Sequence, residues 1–314
     1  MQMAINIFLL ILGFVLLIQS AKVFVDASVE IAKRLRIPTM VIGLTVVAMG
    51  TSAPEVVISV SAAISGSGDL AIANIVGSNI FNLLFIVGFC ALIYPISVKM
   101  KTISRDYWVS VAATVLLLVM IIIFGDRIPR FGGFILLAGF MVYMIVVVRG
   151  ALKNRPRDDV GASVPARPLW KSVILAILGI AVIVGAGQLT VNSAIGIATT
   201  LGITERVIGL TIVAMGTSLP ELITTLIACR KKQGEFALGF IIGSSIFNIA
   251  FVLGLAGLIT PLTIDPGVMT DMAVLAAGTL AFFLFAKSSE KVVRIEGLAM
   301  MLIYVGYMAW VLLT

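Results

Sequence analysis

GLTVVAMGTSAPE, Gly43 to Glu55, returns 166 residues later as GLTIVAMGTSLPE, Gly209 to Glu221. Eleven of these 13 positions are identical, and the match runs on without a gap, laying Gly43–Gly88 on Gly209–Gly254 with 22 identities in 46 positions. Inside it GSNIFN (Gly77 to Asn82) answers GSSIFN (Gly243 to Asn248). The same offset aligns Ile11, Leu12 and Gly13 with Ile177, Leu178 and Gly179, so the repeated unit is a whole half of the chain.

What surrounds the repeat is apolar. Of 314 residues, 61% are hydrophobic and 12% charged, with a mean hydropathy of +1.18. A soluble domain is about 25% charged, so this chain lacks the polar side chains to cover a water-facing surface. That excludes a soluble enzyme, a secreted disulfide scaffold and a nucleic-acid binder. Strand barrels alternate apolar and polar residues, whereas Val109 to Phe124 is apolar on every face. The composition therefore predicts an all-α polytopic membrane protein. One crossing needs about 20 residues as a helix, and ten runs qualify: Ala4–Ile31, Thr39–Ile64, Leu70–Tyr94, Tyr107–Phe124, Phe131–Val148, Leu169–Thr199, Val207–Cys229, Phe236–Thr260, Val268–Ala286 and Ile295–Leu313.

Ten crossings divide five and five, as residues 1–150 and 169–314, around a short linker at 151–168. Five is odd, so the second half must enter the membrane from the opposite side, giving two inverted five-helix repeats. Charge agrees. Alternate connections hold 18 of the 22 lysines and arginines, against only Arg127, Arg130 and Arg206 in the other set. Basic residues gather on the cytoplasmic side, which predicts a multi-pass cell-membrane protein with a cytoplasmic linker and both termini outside. The first run has no basic leader and exceeds a signal core, so it is expected to remain as a span. Inverted repeats with helices interrupted near the midplane mark secondary transporters.

The interruption is written in the motif. Pro54 offers no amide hydrogen to the carbonyl of Gly50 and crowds the turn below Thr51; Pro220 does the same to Gly216 and Thr217. Freed carbonyls are tolerated inside a membrane only where they line a polar cavity or are buried in protein. Thr51, Ser52 and Glu55 share a helical face, as do Thr217, Ser218 and Glu221. On the next helix of each half Ser78 and Asn82, and Ser244 and Asn248, are four apart. Gly77 and Gly243 remove bulk where helices would approach closely. Two carboxylates, hydroxyls, amide carbonyls and backbone oxygens make a cage for a hard cation. Calcium takes six to eight oxygens in a flexible shell: two bidentate glutamates and the carbonyls of Thr51 and Thr217 supply six, and water can complete the set. Two carboxylates carry −2, which one calcium or two sodium ions cancel.

Plainer readings exist for most of these residues. Isolated Gly, Ser and Thr in membrane helices usually serve packing, and an isolated proline is usually a kink. A mid-membrane glutamate is too costly to be idle. Asp26, Glu30 and Lys22 in the first run are expected near an interface or paired with one another, because the sixth run has Asn192, Gly196 and Gln188 at the matching positions. The two cysteines, Cys90 and Cys229, read as buried free thiols.

The paired GTSAPE and GTSLPE with GSNIFN and GSSIFN resemble the alpha repeats of the cation/calcium exchanger superfamily, and the layout resembles its prokaryotic sodium/calcium exchangers. The resemblance covers nearly the whole chain. It implies an antiporter exchanging sodium for calcium by alternating access, with calcium held by Glu55, Glu221 and the carbonyls of Thr51 and Thr217. It implies one sodium site at Ala48, Ser52, Glu55 and Ser78 and another at Ala214, Thr217, Ser218, Glu221 and Ser244, with Asn82 and Asn248 lining the central cavity. It also suggests that the long first and sixth helices slide as a pair across a static core. Potassium-dependent relatives have an aspartate at the position of Asn82 or Asn248. Proton-driven calcium exchangers often carry a histidine beside the motif acid, and this chain has none. The large calcium-sensing domain of animal exchangers has no room in the linker.

The runner-up readings are a proton-driven calcium or cation antiporter and, further off, a cation channel; an inverted duplication within one chain argues for alternating access. No enzyme activity, no cofactor, no nucleic acid and no protein partner is indicated. The expected partners are Ca2+ and Na+ as cargo and the lipid bilayer.

Overall fold

In hydrocarbon the backbone can satisfy its N–H and C=O groups only within helices or closed barrels, and this chain is helical almost throughout. A computed structural model describes residues 2–98, 100–153, 168–202, 214–265 and 267–313. The helices are α1 (Gln2–Leu35), α2 (Thr39–Thr51), α3 (Ala53–Ile64), α4 (Gly68–Ile93), α5 (Met100–Phe124) and α6 (Arg130–Lys153). After the linker come α7 (Leu169–Thr200), α8 (Ala214–Gly216), α9 (Leu219–Arg230), α10 (Gly234–Ile259), α11 (Val268–Ser289) and α12 (Arg294–Leu313). Among the described residues eight helices are long and apolar enough to cross a membrane, or nine if α2 and α3 count as one bent span. Ten runs were expected. The seventh, Val207–Cys229, begins outside the described residues, and its described part is α8 and α9. Most of the 151–168 linker also lies outside them.

The broken span behaves as its proline requires. α2 and α3 meet at 51°, with Ser52 between them at φ −80°, ψ 14° and Pro54 in the first turn of α3. Ser218 precedes α9 in the same conformation, φ −92°, ψ 9°, with Pro220 in the first turn. The halves also share their caps. Arg36 and Gly202 end α1 and α7 in the left-handed region, as Gly66 and Lys232 do after α3 and α9, and each pair is 166 positions apart.

α4 and α10 are the innermost long helices. Each contains a π-helical stretch, Phe81–Ile86 and Phe247–Leu253, and α2 contains another at Gly43–Val47. Such one-residue insertions collect at functional sites. Backbone meets backbone where α2 crosses α10: a Cβ on Gly243 would sit 2.5 Å from the Leu44 carbonyl oxygen. Gly243 thus serves the close approach expected of it. For Gly77 no described atom lies within 4 Å of such a Cβ, and Leu210, its matching partner 166 positions on from Leu44, is outside the described residues.

α1 and α7 pack along each other on the outside of this core. A Cβ on Gly13 of α1 would collide with Thr190 of α7, and one on Gly179 of α7 would sit 2.9 Å from the Phe24 Cβ of α1. Gly13 and Gly179 correspond under the repeat, and so do Phe24 and Thr190. Large apolar side chains such as Phe8, Ile11, Ile123, Ile177 and Leu302 stand exposed around the outside, as a lipid-facing surface requires.

Four two-residue strands lie between helices: β1 (Ile96–Ser97) after α4, β2 (Arg127–Ile128) after α5, β3 (Leu262–Thr263) after α10 and β4 (Lys291–Val292) after α11. β1 pairs antiparallel with β4 and β2 with β3, so each pair joins one half to the other.

Candidate cation-binding site

Every polar side chain expected at the site and described in full is buried: Thr51, Ser52, Glu55, Ser78, Asn82, Thr217, Ser218, Glu221, Ser244 and Asn248 are each less than 9% exposed. The prolines set the framework, because ending one helix and starting another at Ser52 and Ser218 places each glutamate in the first turn of a new helix. There the free N–H groups and the helix dipole favour a negative side chain.

The two halves then cross over. Ser52 Oγ donates to Glu221 Oε1 at 3.1 Å, and Ser218 Oγ donates to Glu55 Oε1 at 3.2 Å. Each serine serves the other repeat's carboxylate. Ser52 Oγ also bonds Ser244 Oγ at 3.0 Å, and Asn82 Nδ2 donates to Ser244 Oγ at 3.4 Å. When Glu221 is ionised its carboxylate only accepts, and the direction of the chain is then fixed. Ser52 gives its proton to Glu221, Ser244 gives its proton to Ser52, and Ser244 accepts from the amide NH2 of Asn82. The Asn82 carbonyl oxygen is left over.

The leftover atoms share one character. Among the described residues, Glu55 Oε2, Glu221 Oε2, Asn82 Oδ1 and Asn248 Oδ1 are buried without a hydrogen-bond partner, and so is Ser78 Oγ. The first four can only accept when the glutamates are ionised. A buried polar atom without a partner costs about 1–3 kcal/mol, and more if charged. Four such acceptors, two from each half, are oxygens of the kind that a hard cation takes.

Residues 5–149 and 171–313 match the sodium/calcium exchanger protein family. The chain belongs to that family. CaxA of Alkalimonas amylolytica is 40% identical to this exchanger over 312 residues, covering 96% of this chain and 97% of the relative. The sodium/calcium exchanger MaX1 of Methanosarcina acetivorans is 32% identical over 344 residues, covering 98% of each. Among solved structures, the sodium-calcium exchanger NCX_Mj soaked with 2.5 mM Na+ and 10 mM Sr2+ superposes with a TM-score of 0.84 at 31% identity, covering 98% of this chain and 99% of that one. The protein is thus a multi-span membrane antiporter of the cation/calcium type.

Other expected positions of the exchanger fall out as follows. The Thr51 hydroxyl turns back to the Val47 carbonyl at 3.0 Å. Ala48 is fully buried in α2, and Ala214 opens α8. Ser78 Oγ and Asn82 Oδ1 are both buried without a partner among the described residues. Asn82 lies in the π-helical stretch and bonds Ser244 of the other half. Asp26 and Lys22 do not pair with each other. Asp26 is 2.6 Å from Lys231 Nζ, which also donates to the Lys22 carbonyl at 3.0 Å, and Glu30 accepts from Ser172 of α7. The crossing of α1 over the end of α9 brings these groups together.

Two polar residues carried no sign of their place in the sequence. Asp106 is buried in α5, where it accepts from Arg105 and from the Tyr143 hydroxyl of α6. Asn79 is buried in α4 and accepts from Asn248 of α10.

Proposed function

We propose that this exchanger uses sodium entry to expel calcium, binding both ions at one midplane site built from Glu55 and Glu221. The carrying observation is the set of four buried acceptors without donors, Glu55 Oε2, Glu221 Oε2, Asn82 Oδ1 and Asn248 Oδ1. Calcium binding between the two carboxylates neutralises both, with the carbonyls of Thr51 and Thr217 adding oxygens. Sodium ions take the same charge in two portions, one near Ala48, Ser52, Glu55 and Ser78 and one near Ala214, Thr217, Ser218, Glu221 and Ser244. Loading by one ion then excludes the other, which is the requirement of exchange.

Alternating access follows from two inverted five-helix repeats with ten crossings. Support for inversion comes from the strands. β1 follows the third span and pairs with β4, which follows the ninth in that layout. With repeats of the same orientation, those two connections would lie on opposite faces of the membrane. The reciprocal contacts of Gly13 and Gly179 with the opposite helix favour α1 and α7 moving as one body. With the basic connections inside, both termini face outward.

Calcium titrated calorimetrically into purified protein tests the site. Wild type should bind Ca2+ and release it to Na+, whereas Glu55→Gln and Glu221→Gln should each lose Ca2+ binding. Unchanged binding in both variants would place the site elsewhere.

A further inference from the structure

The two asparagines of the site are held by different means, and the difference singles out Asn79. Asn82 is oriented by the serine chain that ends on Glu221. The matching bond, from Asn248 to Ser78, is absent: Ser78 Oγ has no partner among the described residues, and Asn248 Nδ2 donates instead to Asn79 Oδ1 at 3.2 Å. Asn79 Nδ2 in turn faces the backbone carbonyl of Ser245 at 3.4 Å.

A backbone carbonyl only accepts. Asn79 must therefore turn its NH2 toward Ser245 and its oxygen toward Asn248. That oxygen accepts only an NH2, so Asn248 must turn its own oxygen the other way. The result is Asn248 Oδ1, buried and without a donor. We propose that Asn79 is a positioning residue of the ion site, whose amide, clamped by the Ser245 carbonyl, forces Asn248 to present oxygen rather than NH2 to the cation. The proposal rests on the reading of Glu55, Glu221, Asn82 and Asn248 as that site. Asn79 touches no ion itself. It acts through Asn248, and only in this half, because the matching residue in the second repeat is Ser245.

The repeat supplies the test variant. Asn79→Ser installs the residue that the second copy carries, and a serine there would bond back to its own helix, as Ser245 Oγ does to the Ile241 carbonyl at 3.0 Å. It cannot stand in for the amide. A cation would then have to turn Asn248 while leaving its NH2 unpartnered in a buried place, a cost that weakens binding about tenfold. An alanine at position 248 has no amide to orient, so in that background the clamp has nothing to act on.

The experiment is a double-mutant cycle on Ca2+ uptake into proteoliposomes, reading KM and maximal rate separately. Asn79→Ser should raise the Ca2+ KM about tenfold with little change in maximal rate, and in an Asn248→Ala background it should change that background's KM less than about twofold. Asn79→Ala should behave alike. An equal loss in both backgrounds, or no loss in either, would overturn the proposal and leave Asn79 as packing. If the single variants fail to fold, recovery of a monodisperse protein in the Asn248→Ala background reads the same coupling, and failure in both backgrounds counts against it. Glu55→Gln and Glu221→Gln run alongside separate the two claims: if they transport normally the ion site itself is misplaced, whereas their collapse with a silent Asn79→Ser rejects the clamp alone.

Discussion

Ser52 of the first repeat donates its hydroxyl proton to Glu221 of the second at 3.1 Å, so neither half owns a complete site. A hydrogen bond to a charged group contributes about 1.5–3 kcal/mol. Ser52→Ala removes one donor and one potential ion ligand but keeps both carboxylates. Calcium uptake should weaken by roughly tenfold in apparent affinity without being abolished, and Ser218→Ala, which removes the bond to Glu55, should match it. Uptake titrations of the two variants check this, and an effect confined to one of them would argue against a shared site.

Protons compete with calcium. Protonating either glutamate removes a charge and turns an acceptor into a donor, so the apparent Ca2+ affinity should fall steadily as the medium is acidified from neutral. Sodium should lose affinity in the same direction. An affinity for Ca2+ independent of pH would mean that carboxylates are not its ligands.

Asp26→Asn should leave most transport intact. The Lys231–Asp26 pair sits at partly exposed side chains, 30% and 56%, where such pairs contribute about 0–1 kcal/mol. The expected change in uptake rate is less than about fivefold, measured beside wild type in proteoliposomes. Loss of activity comparable to Glu221→Gln would move Asp26 into the ion path.

Topology is open to labelling. With Cys90 and Cys229 replaced, single cysteines at Ser65 and at Ala162 should react with an impermeant reagent from opposite faces, Ser65 from outside and Ala162 from inside. Ser65 is exposed. Labelling of Ala162 from outside intact cells would reverse the orientation.

The bend at Ser52 was legible because both effects of Pro54, the lost backbone donor and the crowded turn, are local, and the sequence states them outright. The gathering of Glu55 and Glu221 was legible because the repeat gave it twice. The partner of Asn82 was not. Asn82 Nδ2 donates to Ser244, 162 positions on in the other half, and no local pattern links the two. Asn79 escaped for a different reason: only the structure shows that a backbone carbonyl, Ser245, decides which end of the Asn248 amide faces the site. Asp26 and Lys231 are 205 positions apart, and nothing local links them.

The most direct test of sodium-driven calcium exchange is radioactive calcium uptake into proteoliposomes loaded with sodium and diluted into sodium-free medium. Uptake should rise well above the level with equal sodium on both sides, stop when the gradient is collapsed by an ionophore, and vanish in Glu55→Gln and Glu221→Gln. Uptake that ignores the sodium gradient and follows an imposed pH gradient instead, or that persists in either glutamine variant, would contradict it.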